Sequence, residues 1–352
     1  MTSVLSKTRF SVLDRSRTRQ GQDAPTALRE TVRFAQQAEA LGYHRFWVSE
    51  HHSVPGVAGS APTVLAAGVA AATRTIRVGT GGVMLPNHQP LVVAEQFGVL
   101  ESLYPGRIDM GLGRSVGFTG GIRKALGRDG KDAQDFAAQL RQLLGHLTGD
   151  QTAHPQVHAH PAEGLRIPPF VLATGEGADI AADAGLPLVI GDLRGRDRML
   201  AAIDRYRDGF KPSVWADEPY VVVSGNVAVA DTTEAAHRLL MPEAWSMAYS
   251  RTHGAFPPLV SAAEIDRLEL TPKEREFYES GLRGHIHGTA AEVAAALEEL
   301  ITASGADEVL VTTSTYDRGE MLDSYRRLAE LAGLAGLTGP AGPAGPAGPA
   351  GL

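Results

Sequence analysis

Apolar positions along the chain follow two rhythms. Short runs rich in Val, Ile and aromatic residues read as buried strands. Longer stretches, where apolar residues return every three or four positions, read as amphipathic helices. Strands are predicted at Phe10–Asp14, Phe46–Ser49, Ile76–Thr80, Ile108–Leu112, Phe170–Ala173, Leu188–Ile190, Tyr220–Ala230 and Glu308–Thr313. Helices are predicted at Thr26–Leu41, Pro62–Thr73, Pro90–Leu103, Ala133–Leu147, Gly177–Ala184, Arg196–Phe210, Ala290–Ala303 and Gly319–Leu334. Gly42 stops the first helix from a C′ position, and prolines open the second and third. Strands that alternate with helices in this way predict an α/β fold, and eight of them fit a (β/α)8 TIM-type barrel better than a doubly wound sheet.

Three segments break the alternation. Ser115–Asp132, rich in glycine and basic residues, is expected to be a mobile loop. Asp231–Gly288 is too long for a plain connection and is expected to be a partly helical insertion over the rim after the seventh strand. Residues 339–350 are four Gly-Pro-Ala triplets. So short a collagen-like run cannot be expected to trimerise, and 339–352 reads as a disordered tail on a single domain of 1–338.

Composition narrows the classes. The chain has 352 residues, 43% of them hydrophobic and 21% charged, which is ordinary for a soluble globular protein. Its net charge of −7 argues against a nucleic-acid partner. With no cysteine, disulfides, thiolate catalysis and Cys-ligated metals are excluded. Met1–Arg9 has no apolar core of the kind a secretory signal needs. The weakly apolar run Ala61–Ala72 falls short of the roughly twenty residues of a membrane span. A cytoplasmic enzyme is expected.

In a barrel, chemistry belongs at the carboxyl ends of the strands. There the second strand runs into Glu50-His51-His52, a carboxylate and two imidazoles suited to acid/base work or a metal. His51 comes first off the strand and is the preferred proton carrier; packing is the alternative role for these histidines. The third strand ends in Gly79-Thr80-Gly81-Gly82, a stretch with almost no side chains that a bend or a flat ring against the backbone would explain. The fourth ends in Gly113-Arg114, a cation for a phosphate or for a surface ion pair. The fifth passes through Thr174-Gly175-Glu176-Gly177 into a helix, where amides and a hydroxyl can cradle a phosphate.

Taken together, Phe46–His52, Val78–Pro86, Tyr104–Asp109 and Gly185-Leu186-Pro187 resemble the bacterial-luciferase-like flavin monooxygenases, over roughly residues 8 to 332. The resemblance implies a TIM-type barrel that uses reduced FMN from a separate NAD(P)H:flavin reductase, or in some branches the deazaflavin F420. It implies oxygenation of a small organic substrate by O2 through a flavin C4a-hydroperoxide. It also implies His51 as the catalytic histidine and a non-proline cis peptide at Gly81-Gly82 beneath the ring. Arg114 and the Thr174 hydroxyl would hold the phosphate, with amides from Gly175, Glu176 and Gly177. A carboxylate at Glu176, where relatives often carry hydroxyls, would oppose a phosphate unless turned away. A homodimer is expected through the Pro62–Thr73 helix.

Other readings remain in view: an F420-dependent oxidoreductase, a non-catalytic flavin-binding protein, and a hydrolase built on Gly113-Arg114-Ser115-Val116-Gly117 with Asp192 and His285. The hydrolase motif lacks a good helix start after it. The histidines at 154, 158, 160, 285 and 287 do not have the fixed four-ligand arrangement of structural zinc, and no metal is expected.

Overall fold

In the computed structural model, residues 4–191, 193–334 and 336 are described, Arg194 by its backbone alone. Eight parallel strands close into a barrel: β1 (Arg9–Asp14), β2 (Arg45–Val48), β3 (Arg77–Thr80), β5 (Ile108–Gly113), β6 (Pro169–Ala173), β7 (Leu188–Ile190), β8 (Val221–Gly225) and β11 (Glu308–Val311). The remaining strands are β4 (Val83–Met84), β9 (Val227–Val229) and β10 (Ile286–Gly288). Pairing of β1 with β11 joins the first and last strands, and pairing of β3 with β5 completes the ring.

The barrel helices are α1 (Ala24–Ala40), α2 (Pro62–Ala72), α3 (Pro90–Leu103), α5 (Phe136–Thr148), α6 (Gly177–Ala184), α7 (Arg196–Gly209), α11 (Ala290–Ser304) and α12 (Arg318–Leu331). Most barrel strands are buried along nearly their whole length, because helices cover the outside and side chains fill the inside. Phe10, Phe46, Ile108 and Val309 belong to the large core between strands and helices, whereas Leu13, Trp47, Phe170, Val189, Val222 and Leu310 pack together inside the barrel. Among the described residues no helix is long and apolar enough to cross a membrane.

Low in the barrel interior, a buried ionic network replaces apolar packing. Arg45 reaches Asp109 and Glu308 at 2.8 Å each, Arg77 reaches Asp109 at 2.6 Å, and the Trp47 indole donates to Asp109 at 3.1 Å. Burial alone would lower the Arg45 pKa, but Glu308 and Asp109 outweigh it and raise the pKa above the ordinary value.

Two expectations need correction. The seventh strand, expected over Tyr220–Ala230, is two strands: β8 stays in the barrel, while β9 leaves after Asn226 and pairs with β10. The Ser115–Asp132 segment is not bare loop, because the Thr119 hydroxyl accepts the Ile122 amide and caps a short helix, α4 (Gly120–Ala125). The third strand lies where it was expected, and after a break at Gly81-Gly82 the short β4 pairs with the far half of β5.

Beyond β9 the chain forms α8 (Thr233–His253), α9 (Ala262–Ile265) and α10 (Pro272–Leu282) before β10. Met241, Trp245 and Ala248 of α8 bury an apolar face with Ile265, Phe277 and Leu282. Glu243 of α8 pairs with Arg15 at 2.7 Å, which fixes these helices over the carboxyl ends of the strands. The Gly-Pro-Ala tail lies outside the described residues.

Candidate active site

The interruption between β3 and β4 shapes the rim. The Gly81–Gly82 peptide is cis. There the strand ladder is replaced by a side chain: the Thr80 hydroxyl donates to the Gly111 carbonyl at 2.7 Å and accepts the Gly111 amide at 3.1 Å. A Cβ on Gly81 would lie 2.6 Å from Leu13 Cδ1, and one on Gly82 would lie 2.7 Å from the Gly111 oxygen. Glycine is therefore demanded at 82 by the backbone of β5, whereas at 81 the end of the Leu13 side chain would have to give way, a reason the sequence reading did not anticipate.

A cavity of about 530 Å³ opens there. His51, Gly81, Gly82, Arg114 and Thr174 all line it. Gly175, Glu176 and Gly177 follow Thr174 directly but do not line it. Met84, Phe118, Leu172, Val189 and Phe256 supply apolar wall. The volume lies within the roughly 300–1,000 Å³ of small-molecule sites.

His51 is half-buried in this wall. Its amide donates to the Gly59 carbonyl at 2.9 Å, and its Nδ1 lies 3.2 Å from the Ser49 hydroxyl. Burial, helped by the positive charges of Arg15 and Arg17, lowers its pKa to about 4. At neutral pH it is an uncharged imidazole able to accept a proton.

Glu50 has a different task from the acid/base role the sequence offered it. Its side chain is fully buried and accepts the Met84 amide at 2.8 Å, with His52 Nε2 at 2.6 Å and His88 Nε2 at 2.9 Å from the same carboxylate. Burial pushes its pKa up, but these hydrogen bonds and the neighbouring His88 outweigh burial and hold it below the ordinary value. Glu50 thus clamps the rim segment after the cis bond, and His52 is a supporting residue of that clamp.

Arg114 and Glu176 face each other loosely at 3.8 Å, their side chains 45% and 86% exposed. Glu176 sits at the N-cap of α6 without capping it through its side chain, so the positive end of the helix is left open. Gly175, at φ +69°, makes the left-handed turn that brings the chain from β6 into α6.

Among the described residues, Ser115 and His285 are not hydrogen-bonded to each other. The Ser115 hydroxyl is met by the Gly117 amide at 3.4 Å, whereas His285 Nε2 lies 2.7 Å from the Gly281 carbonyl. Asp192 lies outside the described residues. His158 has a carboxylate partner the sequence reading missed, Glu163 at 2.7 Å. Among the described residues no three potential ligands are grouped as a metal site.

Sequence reasoning also missed Arg15 and Arg17, which follow β1 and border a smaller adjoining cavity. Their signal was present in Asp14-Arg15-Ser16-Arg17-Thr18-Arg19, cations at alternate positions directly off a strand end.

Known proteins place this arrangement in context. Residues 8–308 match the family model described as luciferase-like monooxygenase. An Escherichia coli (strain K12) protein named luciferase-like monooxygenase is 35% identical over 320 residues, covering 90% of this chain and 94% of its own. The crystal structure of apo-MsnO8 superposes with a TM-score of 0.83 at 31% identity, covering 94% of this chain and 99% of that one. The same fold recurs in the oxygenating constituent of 3,6-diketocamphane monooxygenase of Pseudomonas putida in complex with FMN, covering 93% of this chain and 98% of that one (TM-score 0.68, 17% identity). It recurs also in an F420-dependent secondary alcohol dehydrogenase in complex with an F420-acetone adduct, covering 93% of this chain and 99% of that one (TM-score 0.67, 16% identity). With a closed parallel barrel and a match across most of its length, the chain belongs to the luciferase-like monooxygenase family.

Proposed function

We propose that the protein is a two-component flavin-dependent monooxygenase. It would take reduced FMN from a separate NAD(P)H:flavin reductase and use O2 to oxygenate a small organic substrate. The observation that carries this reading is convergence on one cavity of a side-chain-free rim, a neutral histidine and an exposed arginine. A flat ring with a phosphate tail fits that set. Gly81 and Gly82 give it backbone to lie against, while Arg114, Thr174 and the open amino end of α6 complement a dianion. Glu176 opposes the phosphate where it stands, but its side chain is 86% exposed and can turn to solvent.

When bound, reduced flavin supplies the activation of O2 for transfer of one oxygen atom. The chain's own residues do the rest. Met84, Leu172, Val189 and Phe256 exclude water from the reacting face. His51, neutral and buffered by Ser49, accepts or returns a proton at its imidazole. Glu50, His52 and His88 keep the rim segment in register with β2.

An F420-dependent reaction is the second reading, supported by the barrel that binds an F420 adduct. The test mixes anaerobic protein with chemically reduced FMN or with reduced F420, then adds oxygen and follows the flavin spectrum. Tight binding of reduced FMN, with a reoxidation rate altered by the protein and altered again in His51→Ala, supports the monooxygenase. Binding and turnover with reduced F420 alone would overturn it.

A further inference from the structure

Beside the larger cavity lies a second, of about 250 Å³, and the two share Gly191, Ser224 and Phe256 as wall. Its charged lining among the described residues is Arg15, Arg17 and Glu243, two cations against one anion. Glu243 is committed to Arg15: the Arg15 Nη2 lies 2.7 Å from both of its carboxylate oxygens and also donates to the Thr312 carbonyl at 2.9 Å.

Arg17 makes no ion pair of its own among the described residues, and the carboxylate that acts on it, Glu243, is hydrogen-bonded to Arg15. Arg17 is 5% exposed, and its Nη2 donates to the Ser246 hydroxyl at 2.5 Å and to the Pro257 carbonyl at 3.4 Å, both neutral acceptors. Its Nε has no hydrogen-bond partner among the described residues. A buried guanidinium that shares its one counter-charge with a second arginine is under-compensated, and an anion entering the cavity would relieve that cost. The cavity is too small for a second cofactor; Met247, Leu193 and Phe256 give it apolar wall, and Gly191, Ser224 and Phe256 alone border both it and the cavity that His51 lines.

We propose that this inner cavity binds the carboxylate of an organic acid substrate, with Arg17 as its principal partner and the apolar body of the acid extending toward His51. A guanidinium edge offers two parallel donors and matches a planar carboxylate. The oxygenated position is then set by the length of the chain between carboxylate and rim. Only the orientation of the reacting end rests on the flavin reading; binding of the acid does not.

The test is calorimetric titration of the whole chain, free of flavin, with straight-chain carboxylates of increasing length and with the matching neutral amides. One or more acids should bind at least about ten-fold tighter than its amide. Arg17→Gln should abolish that preference and Arg17→Lys should retain part of it. Glu243→Gln, which frees Arg15, should strengthen acid binding several-fold, and it keeps the test alive if Arg17→Gln fails to fold. A merely structural role for these residues predicts loss in both variants. Acids and amides that bind alike, or a Glu243→Gln protein that binds acids more weakly, would overturn the proposal. Separate titrations with reduced FMN and F420 distinguish the two readings. Acid preference without flavin binding would sink the flavin reading alone, and flavin binding without acid preference would sink this one alone.

Discussion

The Glu50 carboxylate accepts the Met84 amide at 2.8 Å, tying the residue just past the cis Gly81–Gly82 bond to the strand end that carries His51. Removing the acceptor leaves a buried amide and two histidines without their partner. Glu50→Ala should cost about 2–4 kcal/mol in urea unfolding. The pH dependence has a definite sign. Because the folded carboxyl sits below its ordinary value, its contribution is complete above the unfolded pKa, about 4.3. It fades as pH falls through the lowered folded value. Glu50→Gln should flatten this acid limb of the stability curve, and an unchanged limb would count against the clamp.

His51 contributes in a different window. Its folded pKa of about 4 lies below the ordinary 6.5, so between those values the unfolded chain holds a proton that the folded chain lacks. Stability from this group is whole above 6.5 and declines as pH drops toward 4. From pH 7.5 to 5.0, His51→Gln should lose about 2 kcal/mol less than the wild type. Guanidinium unfolding at the two pH values measures the difference; equal losses would refute it.

Arg114 and Glu176, 3.8 Å apart, should act with opposite signs on a phosphate. Arg114→Ala is expected to weaken FMN binding about ten-fold or more, and Glu176→Gln to strengthen it several-fold. Riboflavin, which has no phosphate, should respond to neither change. Fluorescence titration with both flavins provides the check, and parallel effects on the two would place the phosphate elsewhere.

Asp109 is fully buried and serves Arg45, Arg77 and the Trp47 indole together. Asp109→Ala should destabilise the barrel by about 3–5 kcal/mol, since it strands buried donors. The readout is the urea midpoint, and a loss under 1 kcal/mol would mean the network is replaceable.

Helices α2 and α3 carry Val64 at 72% exposure and Leu103 at 62%, with Val92 and Val99 also open to solvent. Such side chains on neighbouring helices suit a second copy of the chain. The wild type is expected to elute as a dimer and the combined Val64→Asp and Leu103→Asp protein as a monomer. A wild type that is monomeric at tens of micromolar would remove this surface from consideration.

Periodicity and strand-end chemistry made the barrel and one rim legible in the sequence. His51, Gly81, Gly82, Arg114 and Thr174 come from four strand ends, and a closed parallel barrel necessarily brings such ends together. What escaped had long-range causes. The split at Asn226 depends on pairing between β9 and β10, about sixty residues apart in sequence. The clamp role of Glu50 depends on Met84 and His88, which no local pattern links to it. The burial of Arg17 depends on Ser246 and Pro257, more than two hundred residues along the chain.

The smaller cavity is assembled from two parts of different origin. Arg15 and Arg17 belong to the barrel, whereas Glu243, Ala244 and Met247 belong to α8. His51, Gly81 and Arg114 rest on the strands alone. Exchanging residues 231–288 between relatives should therefore remake the floor of the smaller cavity while changing only Phe256 among the described lining of the larger one.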